Sequence, residues 1–415
     1  MNRVTWSQEQ DFFHKKDLVL KIILVIFPFC NLYAILGINP LDELIILSAL
    51  ILILFQGGAI KLPKIHLLEI ILIILIFACF TGLLWDIKGL RVIPLLIIYF
   101  FIFQNITRLL EFKKYLLIGL YISLFFQISL SGVSANTGAT FYEEDWEWQS
   151  SVWAGTATAA YVFLVSYVFL LLETKNKNYE ISGLSFTFLS IILLLTAIGM
   201  DSRMMLYVLA IIIPLNIIKI FFGGIRVKNK DLRISFFSIF ISVSFFLGVF
   251  FVLVNFFAAS ESFGPSLVSV DQASSAAEAI EEVDRIYFLI QTYQYVITDP
   301  ISALFPKGIY SHQYLLSSFI DYGGSTGGKV RPTGLPAFIV DFGLIACFLF
   351  LIWGVRIFFV ICISKISIMN KLVLSAMLGL IPFSLVIVNL QETAIFFFSI
   401  YILEALYRNN FELLR

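Results

Sequence analysis

An all-α polytopic membrane protein is the fold class this sequence predicts, and three observations predict it. The chain of 415 residues is 60% hydrophobic and only 13% charged, with 44 Phe, a balance far from that of a water-soluble domain. Apolar runs close to the ~20 residues that cross a hydrocarbon layer recur along its whole length. Lys and Arg concentrate in alternate connections between those runs, which is the pattern that orients helices in a bilayer.

The runs make about twelve candidate spans by that length criterion: 18–36, 41–55, 67–84, 91–103, 115–130, 153–172, 184–200, 205–222, 235–257, 334–354, 373–389 and 393–406. Runs 91–103 and 393–406 are short, and a short span is accommodated by thinning the bilayer or inserting only in part. With the N-terminus cytoplasmic, the connections on that side collect Lys15 and Lys16, Lys61 and Lys64, Arg108, Lys113 and Lys114, and the run from Lys219 to Arg233. Arg356, Lys365, Lys371, Arg408 and Arg415 continue the series, so most of the 28 Lys and Arg fall there. Both termini are therefore expected in the cytoplasm. The formal net charge of +0 hides this asymmetry across the membrane, and no basic patch suited to nucleic acid is present. Cys30, Cys79, Cys347 and Cys362 all fall within spans, so they read as small buried hydrophobes rather than as a disulfide framework.

Three regions follow: a bundle of spans one to nine over 1–257, an extracytoplasmic loop over 258–333, and spans ten to twelve over 334–415. A loop as long as 258–333 is functional or carries structure of its own. Within it Ile280, Val283, Ile286 or Tyr287, Ile290, Tyr293 and Ile297 recur at three- and four-residue spacing, the signature of an amphipathic helix. Ser274 or Ser275 can cap its start, and Pro300 is expected to end it. No internal repeat is visible.

Several residues can carry chemistry, and each has a plainer reading beside the functional one. Arg203 follows Asp201 and Ser202 at the start of a span. There it either snorkels to the interface and pairs with Asp201, or joins the backbone N–H groups in a phosphate-binding corner. Arg285 and Asp284 sit in EEVDRIY; Arg285 pairs with Glu281 across one helical turn, or faces a lipid-linked phosphate. His312, close to Lys307, Tyr310 and Asp321, is a hydrogen-bonded core histidine or a general base toward a sugar hydroxyl. Glu143, Glu144, Trp146 and Trp148 crowd the loop 131–152. They form a solvated acidic loop with an interfacial aromatic belt, or carboxylates that hold Mg²⁺ or Mn²⁺, or a surface that binds sugar hydroxyls and stacks on pyranose rings. Arg331 lies in a glycine-rich stretch, 323–334, that is either a linker or a substrate gate.

Read in order, these pieces resemble the O-antigen polymerase and ligase superfamily. The resemblance runs over about residues 195–350 and rests on DSR at a span start, an Arg on a loop helix, ITDPISALFPKGIYSHQYLLSSF, and a span opening GLPAFIVDFGLIACFLFL. It implies a GT-C-like glycosyltransferase that moves an oligosaccharide from undecaprenyl pyrophosphate on the periplasmic face of the bacterial inner membrane, with no metal and no other cofactor. Carried over, Arg203 and Arg285 bind the donor pyrophosphate and His312 activates the acceptor hydroxyl. Arg331, Tyr310, Asp284, Trp146, Trp148, Glu143 and Glu144 are the candidate substrate-binding residues around them.

The expected function is a repeat-unit polymerase for O-antigen or capsular polysaccharide, working with membrane lipids and a chain-length regulator as partners. Two alternatives stand: an O-antigen ligase that moves finished polymer to lipid A–core, and a flippase for the lipid-linked unit. Twelve spans suit a flippase too, but transporters keep charges near the midplane and commonly show repeats.

Overall fold

A computed structural model describes residues 17–29, 66–84, 93–137, 156–174, 181–199, 292–309, 311–315, 335–387 and 394–414. Every regular element among them is a helix. The expected spans 41–55, 205–222 and 235–257, the rest of the acidic loop from 138, and the loop helix up to residue 291 lie outside the described residues.

A helical stretch over 17–26 runs into the 3-10 turn Phe27–Phe29. Then come α1 (Leu67–Gly82), α2 (Ile93–Glu111), α3 (Lys113–Thr137), α4 (Thr156–Leu171), α5 (Gly183–Gly199), α6 (Pro300–Leu304), α7 (Ser311–Leu315), α8 (Leu335–Ile363), α9 (Ile368–Ile387) and α10 (Ala394–Arg408). The apolar runs thus become helices, with three corrections. The short run 91–103 is part of a helix that continues to Glu111. Helix α3 continues through 131–137, where a loop was expected, and α8 runs on to Ile363 instead of stopping near 354. The reason is common to all three. Backbone hydrogen bonding does not stop where hydropathy falls, and neither Asn105 nor Arg108 opposes the helix.

Helix α8 packs along α1, α10 along α2, and α9 against α4, α8 and α10, while α3 packs on α4 and α5. Hydrogen bonds between helix termini define one end of this bundle. Lys113 Nζ donates to Leu172 O (2.5 Å), and Lys371 Nζ to Cys362 O (2.7 Å). The Asn370 amide accepts from Glu173 N (2.7 Å) and donates to Glu173 O (2.9 Å) and Leu414 O (3.3 Å). A partly buried knot joins the same end: Glu69 accepts from Tyr99 OH and pairs with Arg408, whose Nε donates to Glu404 (2.7 Å). Trp353 Nε1 donates to the other Glu404 oxygen (2.8 Å).

Charge divides along the bundle. Among the described residues every Lys and Arg except Lys307 lies toward this end. Apolar side chains cover much of the outer surface: Ile73, Phe77 and Phe80 on α1, Leu184, Phe188 and Leu195 on α5, and Phe348, Leu351, Phe359 and Ile363 on α8 are exposed. Helix α8 is long and apolar enough to cross a membrane. An outer surface of this kind is costly in water and compatible with a membrane protein.

Candidate functional site

At the opposite end, the segment from Asp299 to Leu315 is laid between α1 and α8. Asp299 accepts from Ser302 N (3.1 Å) and Pro300 takes the first helical position, so the pair both closes the helical residues 292–298 and starts α6. The helix does stop ahead of Pro300 as expected, and the same proline also opens α6. Beyond α6 the chain is irregular, yet its N–H groups find acceptors. Lys307 N donates to Val340 O (3.4 Å), Gly308 N to Asp341 O (3.2 Å), Ile309 N to Ala78 O (3.1 Å), and Ser311 N to Gly308 O (3.0 Å).

Glycine makes this crossing possible at two positions. Gly343 breaks α8 with φ 78° and ψ 161°, a region closed to other residues. A Cβ there would stand 2.6 Å from Leu304 O. Gly308 has φ 109°, and its Cβ would lie 2.6 Å from the Gly82 Cα. Side chains at either place would push the segment off the helices.

The crossing delivers Ser311 and His312 to Asp341. One carboxylate oxygen accepts from Ser311 Oγ (3.0 Å) and from His312 N (3.0 Å), and the other meets His312 Nδ1 at 2.7 Å. Ser311, His312 and Asp341 are all 0% exposed. With the carboxylate ionised, Nδ1 carries the ring proton and donates it, which leaves Nε2 as the basic nitrogen of the neutral imidazole. The arrangement orients a ring and fixes its tautomer, the same second-partner logic that aims a general base.

Of the candidate catalytic and substrate-binding residues, His312 alone lies among the described ones. Its side chain is wholly buried against α8 and hydrogen-bonded there, which agrees with the core-histidine alternative named above. Arg203, Arg285, Asp284, Tyr310, Arg331, Glu143, Glu144, Trp146 and Trp148 lie outside the described residues. Asp341 was missed, although it is the one acid within the apolar stretch 335–363, and an acid inside such a stretch is itself a signal. Ser311 carried no sequence signal beyond its neighbour.

Family models, curated proteins and solved structures were all compared with the chain, and none matches it.

Proposed function

We propose that this chain is a glycosyltransferase of the bacterial inner membrane using a polyprenyl-pyrophosphate-linked donor, and within that class a polysaccharide repeat-unit polymerase. The observation that carries it is the His312–Asp341 couple (2.7 Å). It joins two pieces of the resemblance, the histidine of SHQYL and the span GLPAFIVDFG, which are far apart in sequence. The concentration of Lys and Arg at the other end of the bundle supports a periplasmic position for the couple.

The chemistry is a substitution at an anomeric carbon. Nε2 of His312 takes the proton of an acceptor sugar hydroxyl as its oxygen bonds to that carbon. The bond from the carbon to the pyrophosphate oxygen breaks, and the lipid pyrophosphate leaves with the electron pair. Asp341 stabilises the imidazolium that forms, while Arg203 and Arg285 neutralise the leaving group, where charge develops. Since Nε2 is covered, acceptor binding has to uncover it.

A second reading is favoured by the complete burial of both side chains: a latch that only ties the segment 299–315 to α8. Reconstitution in liposomes with a synthetic undecaprenyl-pyrophosphate oligosaccharide, with products scored by size, separates the two. A ladder of polymer is expected from the wild type. His312→Ala and Asp341→Asn should each slow it by about 100-fold or more, the usual worth of a general base, at unchanged protein level. Arg203→Ala and Arg285→Ala should be similarly impaired. Wild-type rates for His312→Ala would leave the latch. Transfer only to lipid A–core would make the protein a ligase, and passage of the unit without bond formation a flippase.

A further inference from the structure

The segment ahead of His312 has an unusual surface. Tyr293, Ile297, Ile301, Leu304 and Phe305 are 67%, 58%, 73%, 40% and 57% exposed, a ridge carried by two successive helical pieces, with Tyr293 and Ile297 one turn apart on the first and Ile301 and Leu304 on the second. Tyr293 and Ile297 belong to the apolar face that the sequence pattern predicts, and none of the described residues covers that face here. Beside the ridge Gln294, Thr298 and Asp299 are also exposed, so the open surface has an apolar edge and a polar edge.

Position along α8 says what meets this surface. Helix α8 breaks at Gly343, and the 20 residues 344–363 beyond the break extend about 30 Å at ~1.5 Å per residue, about the thickness of a hydrocarbon core. Val340 to Gly343, which touch the segment, stand at the end of that stretch and so level with the edge of the hydrocarbon. Irregular backbone survives at that depth only when its polar groups are satisfied by protein. That condition is met: the N–H groups of residues 307, 308, 309 and 311 all donate to carbonyls. The exposed Phe77 and Phe80 of α1, with Leu84 just past its end, flank the same place, where Ile309 N bonds Ala78 O.

We propose that residues 292–315 form a re-entrant segment at the membrane boundary, with the ridge Tyr293–Ile297–Ile301–Phe305 buried in bilayer lipid between acyl chains and headgroups. His312 is thereby held at the depth of a lipid headgroup rather than out in a soluble loop. The inference deepens the glycosyltransferase reading by placing its base at the level of a lipid-linked pyrophosphate, but its test requires no turnover.

In full-length protein reconstituted into phosphatidylethanolamine–phosphatidylglycerol liposomes, the photo-cross-linker p-benzoylphenylalanine replaces Tyr293, Ile297 or Ile301 singly, and Gln294 or Thr298 as controls. All five sites are exposed, so folding is not at stake. The ridge positions should form phospholipid adducts several-fold more than the controls. Adduct yields no higher than the controls, or adducts to this chain or a second copy in place of lipid, would overturn the proposal. Lipid adducts in a protein that makes no polymer would remove the glycosyltransferase reading and keep this one.

Discussion

The two ends of the bundle hold their buried polar groups in different ways. The Glu69–Arg408–Glu404 knot is assembled from side chains on unbroken helices, and Arg408 reaches Glu404 across one helical turn. Two carboxylates share one guanidinium, with Tyr99 and Trp353 as further donors. Its groups come from α1, α2, α8 and α10 and tie those helices together, so it is a brace. At the other end a single carboxylate, Asp341, faces a hydroxyl, a backbone N–H and an imidazole. One of these partners is an imidazole, a group that the knot lacks. Regular helices serve the brace. The couple needed a broken helix and a glycine crossing.

Substitutions test this contrast, read as apparent unfolding free energy in mixed micelles. Asp341→Ala should have the largest effect, because three buried donors lose their acceptor at about 1–3 kcal/mol each. Gly343→Ala comes next. Its backbone region alone costs about 1–3 kcal/mol in a residue with a Cβ, and the close approach of Leu304 O adds to this. Glu404→Gln keeps an acceptor for Trp353 and leaves Arg408 paired with Glu69, so about 1–2 kcal/mol is expected. Ser311→Ala should be smallest, about 0.5–1 kcal/mol, because the two bonds from His312 remain. If Glu404→Gln proved more damaging than Asp341→Ala, the roles assigned to the two ends would be reversed.

Most of the helices were legible in the sequence because apolar runs of that length have few other options. Helices α1, α4, α5, α9 and α10 fall within about five residues of their expected bounds, while α2, α3 and α8 were clipped where polarity rises at Arg108, Ser131 and Arg356. The site was legible by half. His312 drew notice as a rare titratable residue on the expected outer side. Asp341 did not, because its meaning depends on where the chain returns, and that path is set by Gly343 and Gly308. Their conformations are tertiary facts: a glycine in an apolar run predicts a break no better than it predicts close packing.

One last feature concerns Lys113 and Lys114. The first is 1% exposed with its ammonium on Leu172 O, while its neighbour is exposed. Lys371, 7% exposed, and the exposed Lys365 repeat the contrast. Amine-directed acylation followed by peptide mass mapping should therefore tag Lys114 and Lys365 and spare Lys113 and Lys371. Adjacent positions would then serve as an internal footprint, reporting in any detergent whether α4 and α8 still have their C-terminal carbonyls capped.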